Sequence, residues 1–230
     1  MEMHEILLAT ANPAKAREMR EILAHADGGE APPVKWRMLS EFPELPAAVE
    51  TGETFMANAE LKAHHYAGLT GLWTIADDSG LEVDALGGEP GVRSARYAGE
   101  PCNDLANNAL LVQRLAGVPA ERRTARFRCA VVLSDGRSVL ASAEAAVEGR
   151  IVDQPLGSNG FGYDPHFWVD SARLVESPAA TGMTTAQMSP EAKHAISHRG
   201  QALRLLRRRL LPLIRRDAKE AASARGSSGR

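Results

Sequence analysis

The chain has 230 residues, of which 44% are hydrophobic and 24% charged, so it can bury a sizeable core. Its 27 basic and 29 acidic side chains give a net charge of −2 at pH 7, which argues against a protein that coats nucleic acid or an anionic membrane. No apolar run approaches the length of a membrane span, no signal segment precedes "EILLAT", and the two cysteines, Cys102 and Cys129, have no metal-binding or redox spacing. We therefore expect a cytoplasmic protein with reduced cysteines.

The first predicted elements are an apolar strand, "HEILLAT" (4–10), and a helix that follows it directly and ends in the loop "GGEAPP" (28–33). Asn12 and Pro13 are favoured at the N-cap and first position of that helix. Helix N-termini carry unpaired N–H groups that suit an anion, and Lys15 in the first turn gains nothing from the helix dipole. This turn predicts either a phosphate-binding site without the P-loop pattern or a plain capped helix with a solvated lysine.

A second helix is predicted over Thr54–Ala67. It places Thr54, Asn58 and Lys62 on one face, at intervals of four residues, with Glu50 just before the helix. This polar face either belongs to a site or is simply solvated.

The next element, "LWTIAD", reads as a buried strand that ends at Asp77 and Asp78, followed by Ser-Gly. Successive side chains on a strand point to opposite faces, so only one of the two carboxylates faces a given site. A strand end of this kind is where α/β folds place functional groups, although an Asx-type turn with exposed acids explains the same letters.

The middle of the chain predicts a Gly-rich loop, a helix over 104–118, and two strands over 126–152 joined by an Asp-Gly turn. Alternating helices and strands with this antiparallel hairpin indicate an α/β fold around a mixed sheet. No internal repeat and no interdomain linker are evident.

The segment "GSNGFGYDP" (157–165) is a Gly-rich loop with two aromatic residues, Phe161 and Tyr163. Glycine lets the backbone approach a ligand closely, and an aromatic ring in such a loop stacks on a planar ring. The alternative is a turn whose aromatic side chains pack inward.

The last predicted element is one long helix over 189–216, perturbed near Pro212. Lys193, His198 and Arg199 lie near its start, where cations oppose the helix dipole and indicate an anion. The arginines further along are better explained by a solvated amphipathic face than by a nucleic-acid patch.

Taken together, the lysines, the Gly-aromatic loop and the acidic strand, without a Ser or Cys nucleophile elbow, are the parts of a metal-assisted nucleotide site. Two other classes stay open: a haloacid-dehalogenase phosphatase, whose DxDGT motif also ends a strand, and a nucleotide- or RNA-binding module that uses the C-terminal arginines. Here the two aspartates lack the intervening residue of DxDGT, and neither class accounts for the lysines and the loop together.

Five segments in one chain resemble the inosine/xanthosine triphosphate pyrophosphatases, the XTP/dITP diphosphatases of the RdgB type. They occur in the family's order and span residues 6 to about 210: "TANPAK" (10–15), "ETGETFMANAELKA" (50–63), "IADDSGLEVDALGGEPGVRSARYAGE" (75–100), "GFGYDPHF" (160–167) and "EAKHAISHRGQAL" (191–203). Ala11 and Asn159 stand where the family commonly has Gly.

The resemblance implies an elongated α/β fold with a central mixed sheet flanked by helices, in two lobes with the active site in the cleft between them. We expect this domain over residues 1–216 and a polar, disordered tail over 217–230. The implied activity is Mg²⁺-dependent hydrolysis of ITP, dITP and XTP to the monophosphate and pyrophosphate, which removes them from the nucleotide pool. The implied enzyme is a homodimer that acts without nucleic acid or membrane.

Residue roles follow from the same resemblance. Asp78 matches the catalytic carboxylate, which also contacts the metal, and Glu50 is expected to help hold Mg²⁺. Residues 10–15 and the lysines are expected to hold the triphosphate, Phe161 to stack on the base, and polar side chains to read its edge. The full set of expected substrate-binding residues is Thr10, Ala11, Asn12, Pro13, Ala14, Lys15, Lys62, Ser79, Phe161, Gly162, Tyr163, Asp164, Lys193, His198 and Arg199.

Overall fold

A six-stranded mixed sheet forms the centre of the computed structural model, which describes residues 3–24, 34–170 and 182–227, with side chains to residue 217. The strands are β1 (His4–Leu8), β2 (Val34–Met38), β3 (Trp73–Val83), β4 (Thr124–Ser134), β5 (Val139–Ile151) and β6 (Phe167–Val169). Their order across the sheet is β2-β1-β3-β4-β5-β6; β1 pairs in parallel with β2 and β3, and the remaining pairs are antiparallel.

The helices lie on both sides of this sheet. They are α1 (Pro13–Ala24), α2 (Phe55–Thr70), α3 (Asp104–Arg114), α4 (Pro190–Ile196) and α5 (His198–Ser227). Within the described residues, no helix has the length and apolar character that a membrane crossing requires.

Strands β3, β4 and β5 run through two lobes with separate cores. In the first lobe, α1 and α5 pack on the face that carries Ile75, and α2 packs on the opposite face, which carries Ala76. In the second lobe, α3 and α4 contribute Leu111 and Ile196 to a core around Leu81 and Phe127. The predicted α/β architecture with a mixed sheet and two lobes is therefore confirmed.

Side-chain hydrogen bonds to the backbone fix the start of α1 and the turn between β4 and β5. The Oδ1 atom of Asn12 accepts hydrogen bonds from the N–H groups of Ala14 (2.9 Å) and Lys15 (3.2 Å), so Asn12 caps α1 as its sequence position predicts. In the β4–β5 hairpin, Oδ1 of Asp135 accepts from the N–H groups of Arg137 and Ser138, both at 2.8 Å. The predicted hairpin is confirmed.

The prediction that the strand ends at Asp77 and Asp78 is wrong, because β3 continues to Val83 and pairs with β4 over this whole stretch. Gly80 marks a close contact, not a strand end. A Cβ atom there would lie 2.3 Å from Ser94 Oγ and 2.6 Å from the Gly91 carbonyl oxygen, so only glycine lets the 91–96 turn pack against the strand.

The predicted single C-terminal helix is two helices. Ser197 adopts an extended conformation (φ −64°, ψ 154°) between them, and its Oγ accepts from the Gly200 N–H at 3.1 Å, which caps α5. Helix α5 continues past residue 216 to Ser227 with Pro212 inside it, so its backbone is helical through much of the predicted tail. The division of the chain at residue 216 stays a prediction.

Strand β2 was not predicted, although the apolar residues of "VKWRM" alternate with basic ones as in an edge strand. The predicted loop over 28–33 lies outside the described residues.

Replacing Gly80 by Ala is expected to lower the free energy of unfolding by about 1–3 kcal/mol, because the added methyl group meets Ser94 and the Gly91 backbone. Gly68→Ala is the matched control: this exposed glycine lies inside α2 with nothing within 4 Å of the new Cβ, so stability should rise by about 0.5–1 kcal/mol. Urea unfolding measures both; equal effects would contradict the close packing at Gly80.

Candidate active site

A cavity of about 100 Å³ lies against the middle of β3, where the two lobes meet. Residues from the start of α1, the 157–165 loop and the α4–α5 junction line it together with the strand. The predicted site residues that it brings together are Asn12, Lys15, Ser79, Phe161, Gly162, Tyr163, Asp164, Lys193, His198 and Arg199.

Asp77 and Asp78 point to opposite faces of the sheet, as strand alternation predicts. Asp77 faces α1 and α5, where its Oδ2 accepts from Arg199 Nε and Nη2 at 3.2 and 3.1 Å and lies 3.4 Å from Lys15 Nζ. Asp78 faces α2, where Lys62 Nζ donates to Oδ1 at 3.0 Å and Asn58 Nδ2 donates to Oδ2 at 3.2 Å. The two carboxylates therefore have separate partners on either side of one strand.

On the Asp78 side, Lys62 joins two carboxylates. Its ammonium lies 3.1 Å from Glu50 Oε2 and 3.0 Å from Asp78 Oδ1, so both oxygens face one point. Burial raises the pKa of Asp78, although Lys62 and Lys15 work against that shift. Burial lowers the pKa of Lys62 less than the neighbouring carboxylates raise it, so the lysine stays charged.

The predicted shared face of α2 is confirmed. Thr54 caps the helix by accepting from the Ala57 N–H at 3.1 Å, while Asn58 and Lys62 point to Asp78. Asn58 also accepts the Gly52 N–H at 2.8 Å, which ties the segment that carries Glu50 to the helix. Asn58 was not among the expected site residues, although its spacing from Lys62 placed it on the same face.

On the Asp77 side, six alternating charges form a chain of contacts that we call the ion chain. In order it consists of Lys15, Asp77, Arg199, Glu18, Lys193 and Asp164. Lys193 Nζ lies 2.9 Å from Glu18 Oε1 and 2.6 Å from Asp164 Oδ2, and Arg199 Nη1 pairs with Glu18 Oε2. The chain runs from the first turn of α1 to the 157–165 loop.

Arg199, Asp77 and Glu18 are charged despite their burial. Arg199 is only 2% exposed, and burial lowers its pKa less than Asp77 and Glu18 raise it. Burial raises the pKa of Asp77, but Lys15 and Arg199 more than offset this and hold it well below its usual range. The pKa of Glu18 is also lowered, because Arg199 and Lys193 outweigh the burial.

The ion chain changes two sequence interpretations. Lys15 and Arg199 were taken to indicate an anionic ligand near a helix N-terminus, but the protein's own Asp77 lies beside both. Lys193 lies in the last turn of α4, where the helix dipole favours a cation, and not near a helix start. Glu18 was missed, and its only signal was an acid beside Met19 on the buried side of α1.

Asp164 fastens the 157–165 loop. Its Oδ2 accepts from the Phe161 N–H at 2.9 Å and from Lys193, and its Oδ1 accepts from Thr185 Oγ1 at 2.7 Å. Gly160 has φ +78° and its Cβ would lie 2.0 Å from Asp164 Oδ2, so the loop needs glycine there. The carboxylate thus holds the loop closed over Lys193.

Two aromatic rings flank the cavity. The Phe161 ring centroid lies 4.8 Å from Lys193 Nζ and 5.7 Å from Arg199 Cζ, and His198 stacks on Phe127 with centroids 4.9 Å apart. Burial, together with the charges of Arg199 and Lys193, lowers the pKa of His198 well below its ordinary value. A neutral His198 offers one donor and one acceptor.

Four of the remaining expected residues line other cavities. Thr10, Ala11 and Pro13 line a neighbouring cavity of about 520 Å³, and Ala14 lines a third. No non-glycine residue in the described part of the chain has positive φ, so the backbone at Ala11 does not require glycine.

Replacing Glu18 by Gln should lower the free energy of unfolding by about 3–5 kcal/mol at pH 7, because Arg199 and Lys193 lose a shared buried counter-charge. A carboxylate with a lowered pKa stabilises the fold above its ordinary pKa and loses that contribution as the pH falls, so the difference should shrink as the pH is lowered below the ordinary value of 4.5. Glu21→Gln, on the same helix near the surface, is the control and should cost less than about 1 kcal/mol. A pH-independent difference would argue against this charge assignment.

Comparison with known proteins identifies the family. The model of the Ham1 family matches residues 6–209. A protein of Shouchella clausii named dITP/XTP pyrophosphatase is 43% identical over 205 residues, which cover 89% of this chain and 96% of that protein. The solved structure of a HAM1 protein from Coxiella burnetii has a TM-score of 0.75 and 39% identity, covering 90% of this chain and 98% of its own.

A second solved structure agrees with these matches. It is a nucleoside-triphosphatase, also named dITP/XTP pyrophosphatase, from Mycobacterium abscessus, with a TM-score of 0.66 and 41% identity over 88% of this chain and 98% of its own. The resemblance carried by the five sequence segments is confirmed, and the chain belongs to the Ham1 family.

Proposed function

We propose that this chain is a metal-dependent pyrophosphatase that hydrolyses ITP, dITP and XTP to the monophosphate and pyrophosphate, and so removes them from the nucleotide pool. Relatives named dITP/XTP pyrophosphatase support the substrate class. The observation that carries the proposal is that Asp78, Glu50 and Lys62 meet on one side of β3, while the next two residues of the strand, Ser79 and Gly80, line the cavity that also contains Phe161 and His198. We also propose, from the family resemblance, that the enzyme is a cytoplasmic homodimer.

In the proposed reaction, Asp78 orients a water molecule and takes its proton as the water oxygen attacks the α-phosphorus. The bond from the α-phosphorus to the α–β bridging oxygen breaks, and pyrophosphate leaves with that oxygen. Burial raises the pKa of Asp78, which makes it a stronger base than an exposed aspartate. Lys62 and Lys15 lie where they can stabilise the charge on the phosphates.

The charge balance of the site supports a metal requirement. The site contains four basic side chains, Lys15, Lys62, Lys193 and Arg199, and five acidic ones, Glu18, Glu50, Asp77, Asp78 and Asp164, joined by ion pairs. These cations are already neutralised by the protein's own carboxylates. A triphosphate polyanion therefore needs additional positive charge to bind beside Asp78.

Glu50 and Asp78 fit the way Mg²⁺ is held in phosphate-transfer sites. Their oxygens share one ammonium, and Mg²⁺ binds one or two carboxylates together with substrate phosphates and water. Among the described residues there is no group of three His, Cys, Asp or Glu side chains placed to hold a metal without substrate. When bound, Mg²⁺ supplies positive charge to the phosphate oxygens.

We assign base selection to side chains that line the cavity itself. We propose that Phe161, which lines the cavity, stacks on the purine, and that the neutral His198 donates to the 6-oxo oxygen of hypoxanthine and xanthine. Adenine presents a 6-amino donor there, and a mismatch of this kind lowers kcat/KM by several powers of ten. Arg199 and Asp164 act by holding Lys193 and Phe161 in place, since each is engaged in the ion chain.

The test of the function is pyrophosphate release from ITP, XTP, dITP, GTP and ATP, with and without Mg²⁺. We expect release from ITP, XTP and dITP and little from ATP. Asp78→Asn should lower kcat by about 10²-fold or more even at saturating Mg²⁺, because the general base is lost. The melting temperature and nucleotide binding by calorimetry check that the variant is folded. Orthophosphate release from p-nitrophenyl phosphate without pyrophosphate release would instead identify a phosphatase.

The metal assignment has its own matched pair of variants. Glu50→Gln should raise the Mg²⁺ concentration for half-maximal activity about tenfold or more, because a neutral amide replaces one of the two candidate carboxylate ligands. Glu53→Gln changes an exposed acid three residues away and should leave the Mg²⁺ titration unchanged. Equal Mg²⁺ curves for the two variants would remove Glu50 from the metal site.

A further inference from the structure

Helix α3 contacts the 157–165 loop through two side chains on one face, Asp104 and Asn108. Oδ2 of Asp104 accepts from the Gly162 N–H at 2.8 Å, and Nδ2 of Asn108 donates to the Gly162 carbonyl oxygen at 2.9 Å. Spaced four residues apart, the two side chains lie one above the other on the helix. We call this pair the Gly162 clamp.

The clamp holds both peptide groups of one glycine. Gly162 has φ +60°, a conformation that glycine adopts without strain, and it joins the two aromatic residues Phe161 and Tyr163. The N–H group belongs to the peptide shared with Phe161, and the carbonyl group to the peptide shared with Tyr163. Fixing both therefore sets the direction in which the chain leaves Phe161.

Helix α3 is a firm support for this contact. Leu111 and Leu115 are fully buried in the second-lobe core. The side-chain amide of Asn107 accepts from the Ala98 N–H and donates to the Ala95 carbonyl oxygen. Asp104, in contrast, is exposed and lines the cavity. The clamp thus connects a buried core to the wall of the cavity that contains Phe161 and His198, which we call the purine pocket.

Only one of the two polar atoms of the Asn108 side chain is hydrogen-bonded among the described residues. Its Nδ2 donates to Gly162, whereas its Oδ1 is buried without a hydrogen-bond partner among the described residues. A buried acceptor left unpaired costs free energy, so an amide at this position is explained by the donor that it provides. A carboxylate only accepts hydrogen bonds and an amide can donate, so Asp104 suits the Gly162 N–H and Asn108 suits the Gly162 carbonyl oxygen.

We propose that Asp104 and Asn108 are positioning residues for the purine pocket, which set the place of Phe161 by holding both peptide groups of Gly162. The proposal rests on the proposed function for its link to purine binding. Because neither side chain contacts Asp78, their loss acts on base binding and base discrimination, and the chemical step is left alone.

The test compares four variants. Asp104→Leu removes the acceptor, and Asn108→Asp replaces the donor by a carboxylate that repels the Gly162 carbonyl. Each variant should raise KM for ITP about tenfold and lower the ITP-to-ATP ratio of kcat/KM. The kcat of each should stay within about twofold of the wild-type value. Asp104→Asn keeps a side-chain acceptor without the charge, so its KM for ITP and its ITP-to-ATP ratio should lie closer to wild type than those of Asp104→Leu. Leu105→Ala, at an adjacent residue that is 82% exposed, is the neutral control.

Hydrogen–deuterium exchange of the peptide covering residues 157–165 gives a readout that needs no activity. Exchange should be faster in Asp104→Leu and Asn108→Asp than in wild type and in Leu105→Ala. A wild-type protein that does not hydrolyse ITP would refute the proposed function, while the exchange comparison would still test the clamp. Unchanged KM in the two clamp variants, with or without faster exchange or a lower melting temperature, would overturn the positioning role.

Discussion

The carboxylate of Glu18 is the constraint on which the arrangement of the site depends. It lies on α1 and contacts Lys193 on α4 and Arg199 on α5, so a single buried group joins three helices from the two sides of the cleft. Removing one partner from a buried ion pair costs more than the pair contributes, because an uncompensated charge stays behind. Each member of the ion chain therefore requires the next, and the geometry extends from Lys15 to Asp164.

Successive side chains of β3 point to opposite faces of the sheet, which separates the surroundings of Asp77 from those of Asp78. Asp78 faces α2 with Lys62 and Glu50, where we propose that the phosphates and the metal bind, and Asp77 faces α5 with Arg199. Because the two side chains are neighbours on one strand, the two halves of the site keep a fixed separation. Gly80 brings the 91–96 turn against the same strand, which completes the wall of the cavity.

Sequence reasoning succeeded where one short segment carries the whole physical cause. Asn12 caps α1 through N–H groups two and three residues away, and the spacing of Thr54, Asn58 and Lys62 is a property of one helix. It failed where a distant segment supplied the missing partner. A cation near a helix N-terminus correctly indicated an anion, but the anion beside Lys15 is Asp77, more than sixty residues away. The strand was expected to end at a charged pair, since nothing in the segment shows that Arg199 and Lys62 compensate it.

The α/β class, the capped α1 helix, the β4–β5 hairpin, the two faces of the aspartate pair and the family can all be read from the amino-acid sequence. These follow from periodicity, turn chemistry and motifs, which act over a few residues. The folded chain was needed to see that Glu18 joins the ion chain, that Asp164 fastens the loop, and that Asn108 contacts Gly162 from α3. The physical reason is that the cost of burying a charge or an amide depends on partners that folding brings together from distant positions in the chain.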